Sequence, residues 1–389
     1  MAYFDWNATT PVLAEARESW LQASEQFWGN PSSAYRLGAL AKVELDKARK
    51  SVAGNFGVEP SQVLFTSGAT ESINGFLRAA ENRSPANGTI WISAVEHSAV
   101  QKAALEFWGK DRVVTMPVDK GGIVELDWIR NNLTDNRPAL VALMAVNNET
   151  GVIQPWQEVL ELCASAGVPF FCDAVQWIGK NPATKAPFAQ CAGVSASGHK
   201  FGAPKGTGLL ILGKDWQGIR IQVGGSQEQD SRAGTENVPG AVALSLALDN
   251  RMSLQLSQDQ LTARDRFEQK LRQKWKDDLQ IHAADAPRTW NTCSVSLPKY
   301  KAARWIARLD KRGFQVSAGS ACGAGKDKIS PVLAAMGVNE DVAARTIRVS
   351  SGWETTPEEW DNLFQGIVAV FDDLEAEQPA GGPGQVIEI

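Results

Sequence analysis

Short apolar runs recur through the first half of the chain, at Val63–Thr66, Thr89–Ser93, Val113–Val118, Ala139–Val146, Val168–Cys172, Gly193–Ser197 and Gly208–Leu212. Each has strand length and little polar alternation, which predicts strands buried on both faces. Helix-length segments lie between most of them. Trp156–Ala166 is the clearest, with Val159, Leu160, Leu162 and Cys163 on one side. Strands alternating with helices imply an α/β fold, a mostly parallel sheet covered by helices. A long helical stretch, Val238–Trp275, follows, and Val242, Leu244, Leu246 and Leu248 make its first part strongly apolar. Beyond it come shorter mixed elements, with strands near Asn291–Leu297, Phe314–Ser317 and Thr346–Val349. These predict a smaller α+β domain. The expected division is a large domain of residues 13–256 and a small one of residues 1–12 and 257–376. Residues 377–389, with their Pro-Ala-Gly-Gly-Pro-Gly run, read as a mobile tail.

Length agrees with two domains, since 389 residues exceed what one small core accommodates. Charge changes the picture only by exclusion: a formal net charge of -5 gives no electrostatic reason to expect nucleic acid or an anionic membrane. The longest apolar run, Ala139–Val146, is far too short to span a bilayer, and Met1–Asn7 has no secretory character. A cytoplasmic protein is expected. Five cysteines without a CxxC pair suggest neither a disulfide framework nor a structural zinc site, so no metal centre is expected. The thiols are expected to be reduced, and each is a candidate nucleophile.

Chemistry concentrates at the ends of the predicted strands. His199 and Lys200 follow one of them, among Ser, Gly and Ala residues that leave room for a bulky ligand. A lysine there suits a Schiff base with an aldehyde cofactor, or is simply solvated. Asp173 closes the run Pro169-Phe-Phe-Cys-Asp, at the strand end where open parallel sheets bind ligands. It suits a protonated pyridine nitrogen, or caps the next helix. Phe65-Thr-Ser-Gly-Ala-Thr-Glu runs from strand to helix and offers backbone N–H groups to a phosphate. His97 also follows a strand, placed to lie against a ring and move protons, or to serve structure alone.

Ten stretches, in order along nearly the whole chain, resemble the cysteine desulfurase family. That family belongs to the class V aminotransferase group of fold-type I pyridoxal-phosphate enzymes. The stretches are Phe4-Asp-Trp-Asn-Ala-Thr-Thr-Pro, Gly29-Asn-Pro-Ser-Ser, Thr66-Ser-Gly-Ala-Thr-Glu-Ser, Glu96-His-Ser-Ala-Val and Val146-Asn-Asn-Glu-Thr-Gly. They continue with Asp173-Ala-Val-Gln, Ser197-Gly-His-Lys, Arg232-Ala-Gly-Thr-Glu-Asn, Gly319-Ser-Ala-Cys and Ile347-Arg-Val-Ser. Tyr35, Ala233 and Ala318 depart from residues common in the family, and none of them removes a reacting group.

The resemblance implies the fold-type I architecture, pyridoxal 5'-phosphate as cofactor and L-cysteine as substrate. Lys200 would hold the cofactor and shuttle the alpha proton, and His97 would stack on the ring and assist proton transfer. Asp173 would face the pyridine nitrogen and Gln176 the ring hydroxyl. Ala69, Thr70, Ser197 and His199 would hold the phosphate. Thr235 would reach the phosphate of a neighbouring subunit, which implies a homodimer. Asn148 and Arg348 would bind the substrate carboxylate, for which a planar guanidinium is suited.

Cys322 stands among Gly, Ala and Ser residues near Lys326 and Lys328, where a thiolate is favoured. The resemblance makes it the residue that takes sulfur as a persulfide and passes it to an acceptor protein, a scaffold or sulfur carrier. Cys163, Cys172, Cys191 and Cys293 sit in apolar runs and read as structural. Two other readings fit the same scaffold. One is a selenocysteine lyase or another C–S lyase or aminotransferase, indifferent to Cys322. The other is a catalytically silent scaffold that binds a sulfur carrier.

Overall fold

The computed structural model describes residues 1–181, 186–319 and 330–377. Its larger sheet has seven strands, in spatial order Val63–Thr66, Gly208–Leu212, Gly193–Ser197, Phe170–Asp173, Leu140–Met144, Ile90–Ser93 and Val113–Met116. Gly208–Leu212 is antiparallel to both neighbours and every other pairing is parallel. Successive residues serve opposite faces. Trp91, Val141, Leu143, Phe170 and Leu209 enter one apolar cluster, while Ile90, Ile92, Leu140, Phe171 and Leu210 enter another. This two-sided burial is why the strands read as continuous apolar runs.

Helices Trp156–Ala166 and Val238–Ser253 supply Val159, Leu160, Leu244 and Leu248 to the first cluster. Helices Ala69–Arg83 and Ser98–Trp108 supply Ile73, Phe76, Val100 and Trp108 to the second. The result is the α/β class, with helices on both faces of a mostly parallel sheet.

The stretch Val238–Trp275 is not one helix. It divides into Val238–Ser253 and Gln258–Trp275. Ser257 begins the second: its Oγ accepts from the Gln260 N–H, and the Gln260 side chain accepts from the Ser257 N–H at 2.9 Å. This reciprocal cap marks the start of the second helix, and the apolar pattern across residues 254–257 conceals it.

The second helix joins another core. Phe267 and Leu271 pack with Trp305, Trp360 and Ile367 against a four-stranded antiparallel sheet ordered Ser317–Ala318, Thr346–Ser350, Thr292–Ser296, Gln280–Ile281. The chain start joins this side as well, since Ala2–Tyr3 pairs in parallel with Phe314–Gln315 and Phe4 is fully buried in that core. From there residues 5–10 cross to the large sheet, where the Thr10 N–H donates to His199 O at 2.9 Å. No helix among the described residues is long and apolar enough to cross a membrane.

Candidate active site

A cavity of about 830 Å³ opens at the carboxyl ends of the large sheet's strands, with one wall from the small sheet. Glycine draws its floor together. A Cβ on Gly208 would lie 2.4 Å from the Gly68 Cα, so the antiparallel strand and the turn after Val63–Thr66 approach too closely to admit a side chain there. That approach sets Ser197 Oγ beside Gly68, at the N-terminus of helix Ala69–Arg83. The helix's first N–H groups, at Ala69 and Thr70, have no intrahelical acceptor and carry the positive end of its dipole. Thr70, Ser197 and His199 join them in lining the cavity. His199 is itself held by a 3.1 Å contact between Nδ1 and Thr9 Oγ1. This donor set fits a phosphate.

Asp173 ends its strand nearly fully buried. Its Oδ1 accepts from the Val175 N–H at 3.0 Å and from Ser195 Oγ at 3.4 Å. Burial pushes its carboxyl up, while His97, those two donors and Lys200 act in the opposite sense. A cationic ring N–H arriving here would relieve the desolvation penalty, so the site fits a pyridinium. His97 caps helix Ser98–Trp108, its Nδ1 accepting from the Ala99 N–H at 3.2 Å, which leaves a neutral ring's proton on Nε2. Desolvation lowers its pKa, Asp173 opposes that, and Lys200 adds to it.

Lys200 Nζ reaches the carbonyls of Asn7 and Ala8, both at 2.7 Å. Gln176 Nε2 donates to the same Asn7 carbonyl at 2.9 Å. Arg348, almost fully buried, projects from strand Thr346–Ser350. Its Nη1 donates to Asn148 O at 3.0 Å and its Nη2 to Asp5 Oδ1 at 2.6 Å. Its Nε has no partner among the described residues.

One cavity therefore gathers Ala69, Thr70, His97, Asn148, Asp173, Gln176, Ser197, His199, Lys200 and Arg348. Thr235 is not among them; it is exposed and does not line the cavity of its own chain. Cys322 lies outside the described residues, as do residues 378–389. The other four cysteines are buried, and burial pushes the Cys163 thiol up to about 12, a poor nucleophile near neutrality.

Sequence reasoning missed Asn7 and Glu96 as site residues. Asn7 is a hub: its Nδ2 reaches Asn148 O and Thr292 Oγ1, and its carbonyl receives Gln176 and Lys200. Glu96 is buried in the cavity wall, its Oε1 bonded to the Met144 N–H and Ser93 Oγ. Burial and Asp173 push its carboxyl up to about 8. Both stand in stretches that the resemblance singles out, and position there was the only available signal.

A family model for class-V aminotransferases matches residues 2–363. The cysteine desulfurase IscS of Methanosarcina thermophila is 35% identical over 97% of this chain and 93% of the relative. The chain belongs to the cysteine desulfurase family. Its fold agrees: a solved NifS-like protein superposes with a TM-score of 0.87 at 32% identity, covering 96% of this chain and 99% of the other. A structure described as SspA in complex with cysteine gives 0.77 at 26% identity, over 90% and 98%. The family's cofactor is pyridoxal phosphate, and the donor set, buried carboxylate and lysine of this cavity fit it.

Proposed function

We propose that the protein converts L-cysteine to L-alanine and takes the sulfur on Cys322 as a persulfide for transfer to an acceptor protein. The observation that carries this reading is the convergence of Lys200, Asp173, His97 and a helix N-terminus on one cavity that Arg348 also enters. The solved complex of SspA with cysteine supports the choice of substrate.

Ala69, Thr70, Ser197 and His199 would hold the cofactor's phosphate, Asp173 its ring nitrogen and Lys200 its aldehyde carbon. When bound, the cofactor supplies an electron sink for charge developing at the amino acid's alpha carbon. Lys200 would take the alpha proton at Nζ, and the Asn7 and Ala8 carbonyls keep the amine aimed. His97 moves a proton at Nε2, its other nitrogen being committed to the helix cap. Arg348 and Asn148 orient the substrate carboxylate. Two guanidinium nitrogens already serve Asp5 and Asn148, so the substrate carboxylate would share Arg348 with Asp5 or displace it. The Cys322 thiolate attacks the substrate sulfur, forming an S–S bond as the C–S bond breaks.

A homodimer completes this reading. Thr235 is exposed and does not line its own cavity, as a residue serving a neighbouring phosphate would be. Trp20, Leu21, Trp28, Tyr35, Leu40 and Val43 leave apolar surface exposed near the chain start, which supports burial against a second copy.

The test is alanine formation from L-cysteine with a reductant, beside a Cys322→Ser variant. Alanine from the wild type alone supports the persulfide route. Equal alanine from both removes Cys322 from it, and pyruvate in place of alanine points to a C–S lyase.

A further inference from the structure

A second lysine is buried behind the cavity. Lys180 lies four residues after Gln176 and is only 7% exposed. Gly179 turns the chain there at φ 77°, and a Cβ on it would lie 2.8 Å from Phe201 Cβ, so the turn is closely confined. Trp290 Nε1 fixes the backbone by donating to Lys180 O at 3.1 Å. The side chain then runs inward. Its Nζ donates to Gln176 Oε1 and, at 2.6 Å, to Asn7 Oδ1. Burial pushes the amine well below its usual range, and the charges of Lys200 and Arg348 push the same way. A neutral amine has two N–H groups, and these two acceptors use both.

An N–H donor selects which end of an amide it faces. With Oε1 toward Lys180, the Gln176 nitrogen must point the other way, where one N–H meets Asn7 O at 2.9 Å. The second N–H remains for the cavity that Gln176 lines. With the amide turned over, the cavity would meet a carbonyl oxygen instead. We propose that Lys180 is a positioning residue that orients the Gln176 amide to offer an N–H, not an oxygen, to the oxygen substituent on the cofactor ring. This rests on the reading that pyridoxal phosphate occupies the cavity.

The test titrates apoprotein with pyridoxal phosphate and follows the visible band against concentration and pH. Wild type, Lys180→Met, Gln176→Ala and the double variant form a cycle. Lys180→Met is expected to weaken cofactor binding about tenfold, the scale of one lost hydrogen bond. It is also expected to raise the pH midpoint of the band by about one unit, because a ring oxygen without its donor holds a proton more tightly. In the Gln176→Ala background the same change should do nothing further. Lys180→Gln keeps an N–H donor, guards against loss of folding in the methionine variant, and should restore most of the affinity and the midpoint. Additive losses in the double variant, or a glutamine variant as impaired as the methionine one, would overturn the proposal and leave the cofactor reading intact. A wild-type protein that takes up no cofactor would remove that reading, and the proposal with it.

Discussion

His97 stands at the carboxyl edge of the large sheet and His282 inside the small one, and burial lowers the pKa of both imidazoles. Their surroundings differ. His97 faces the charges of Asp173 and Lys200, which act on it in opposite senses. His282 has only hydroxyls: its Nε2 meets Ser296 Oγ at 2.8 Å and Thr346 Oγ1 at 3.2 Å, and desolvation alone takes its pKa down to about 4. Serine and threonine line both regions, so buried polarity does not distinguish a site from a polar core. Opposed charges on one buried ring do. The small sheet contributes to the cavity chiefly through Arg348, already paired with Asp5.

The sharpest break of this contrast removes the lysine. Lys200→Ala should lower alanine formation by about 10³-fold or more, since both cofactor attachment and a proton-transfer group are lost. An enzyme that keeps a tenth of its rate would end the assignment of that residue. Next comes the pair of histidines. His97→Gln should cost about 10²-fold in kcat with little change in Tm, whereas His282→Leu should leave kcat near wild type. A kinetic loss from His282→Leu equal to that from His97→Gln would dissolve the contrast. Arg348→Lys should raise KM for L-cysteine about tenfold and affect kcat less, because a lysine cannot form the planar two-point contact; steady-state kinetics separates the two parameters.

The smallest effect is on stability. His282→Leu should cost about 1–2 kcal/mol by denaturant unfolding, since the hydroxyls left behind still bond each other. The same residue has an acid signature. Its folded pKa is about 4 against 6.5 for the free side chain, so the unfolded chain binds more protons between those values. The stabilisation is complete above pH 6.5, is lost as pH falls toward 4 and then levels off, for a total of up to about 3 kcal/mol. Unfolding measured across that window should show a shallower acid limb in the leucine variant.

The strands of the large sheet were legible because all but the edge strand Val113–Met116 are largely buried on both faces, which writes an apolar run into the chain; Val63–Thr66, Gly193–Ser197 and Gly208–Leu212 have the bounds the pattern predicts. The break after Ser253 was not, because apolar spacing continues through the gap that precedes the Ser257 cap. Most cavity residues were legible for a related reason: each follows a strand, within a few positions of its end. The residues that hold them were less so. Asn7 and Asp5 act through contacts with Lys200 and Arg348 that exist only once the chain start crosses between the two sheets. No local pattern announces such contacts.

The central claim is that the cavity at the large sheet's edge binds pyridoxal phosphate through Lys200. Borohydride reduction of the loaded protein, followed by peptide mapping, tests it most directly. The account predicts a reduced pyridoxyl group on the peptide carrying Lys200 and none on Lys180, only a turn away behind Gln176. A label on Lys180 or another lysine, or no label on fully loaded protein, would contradict it.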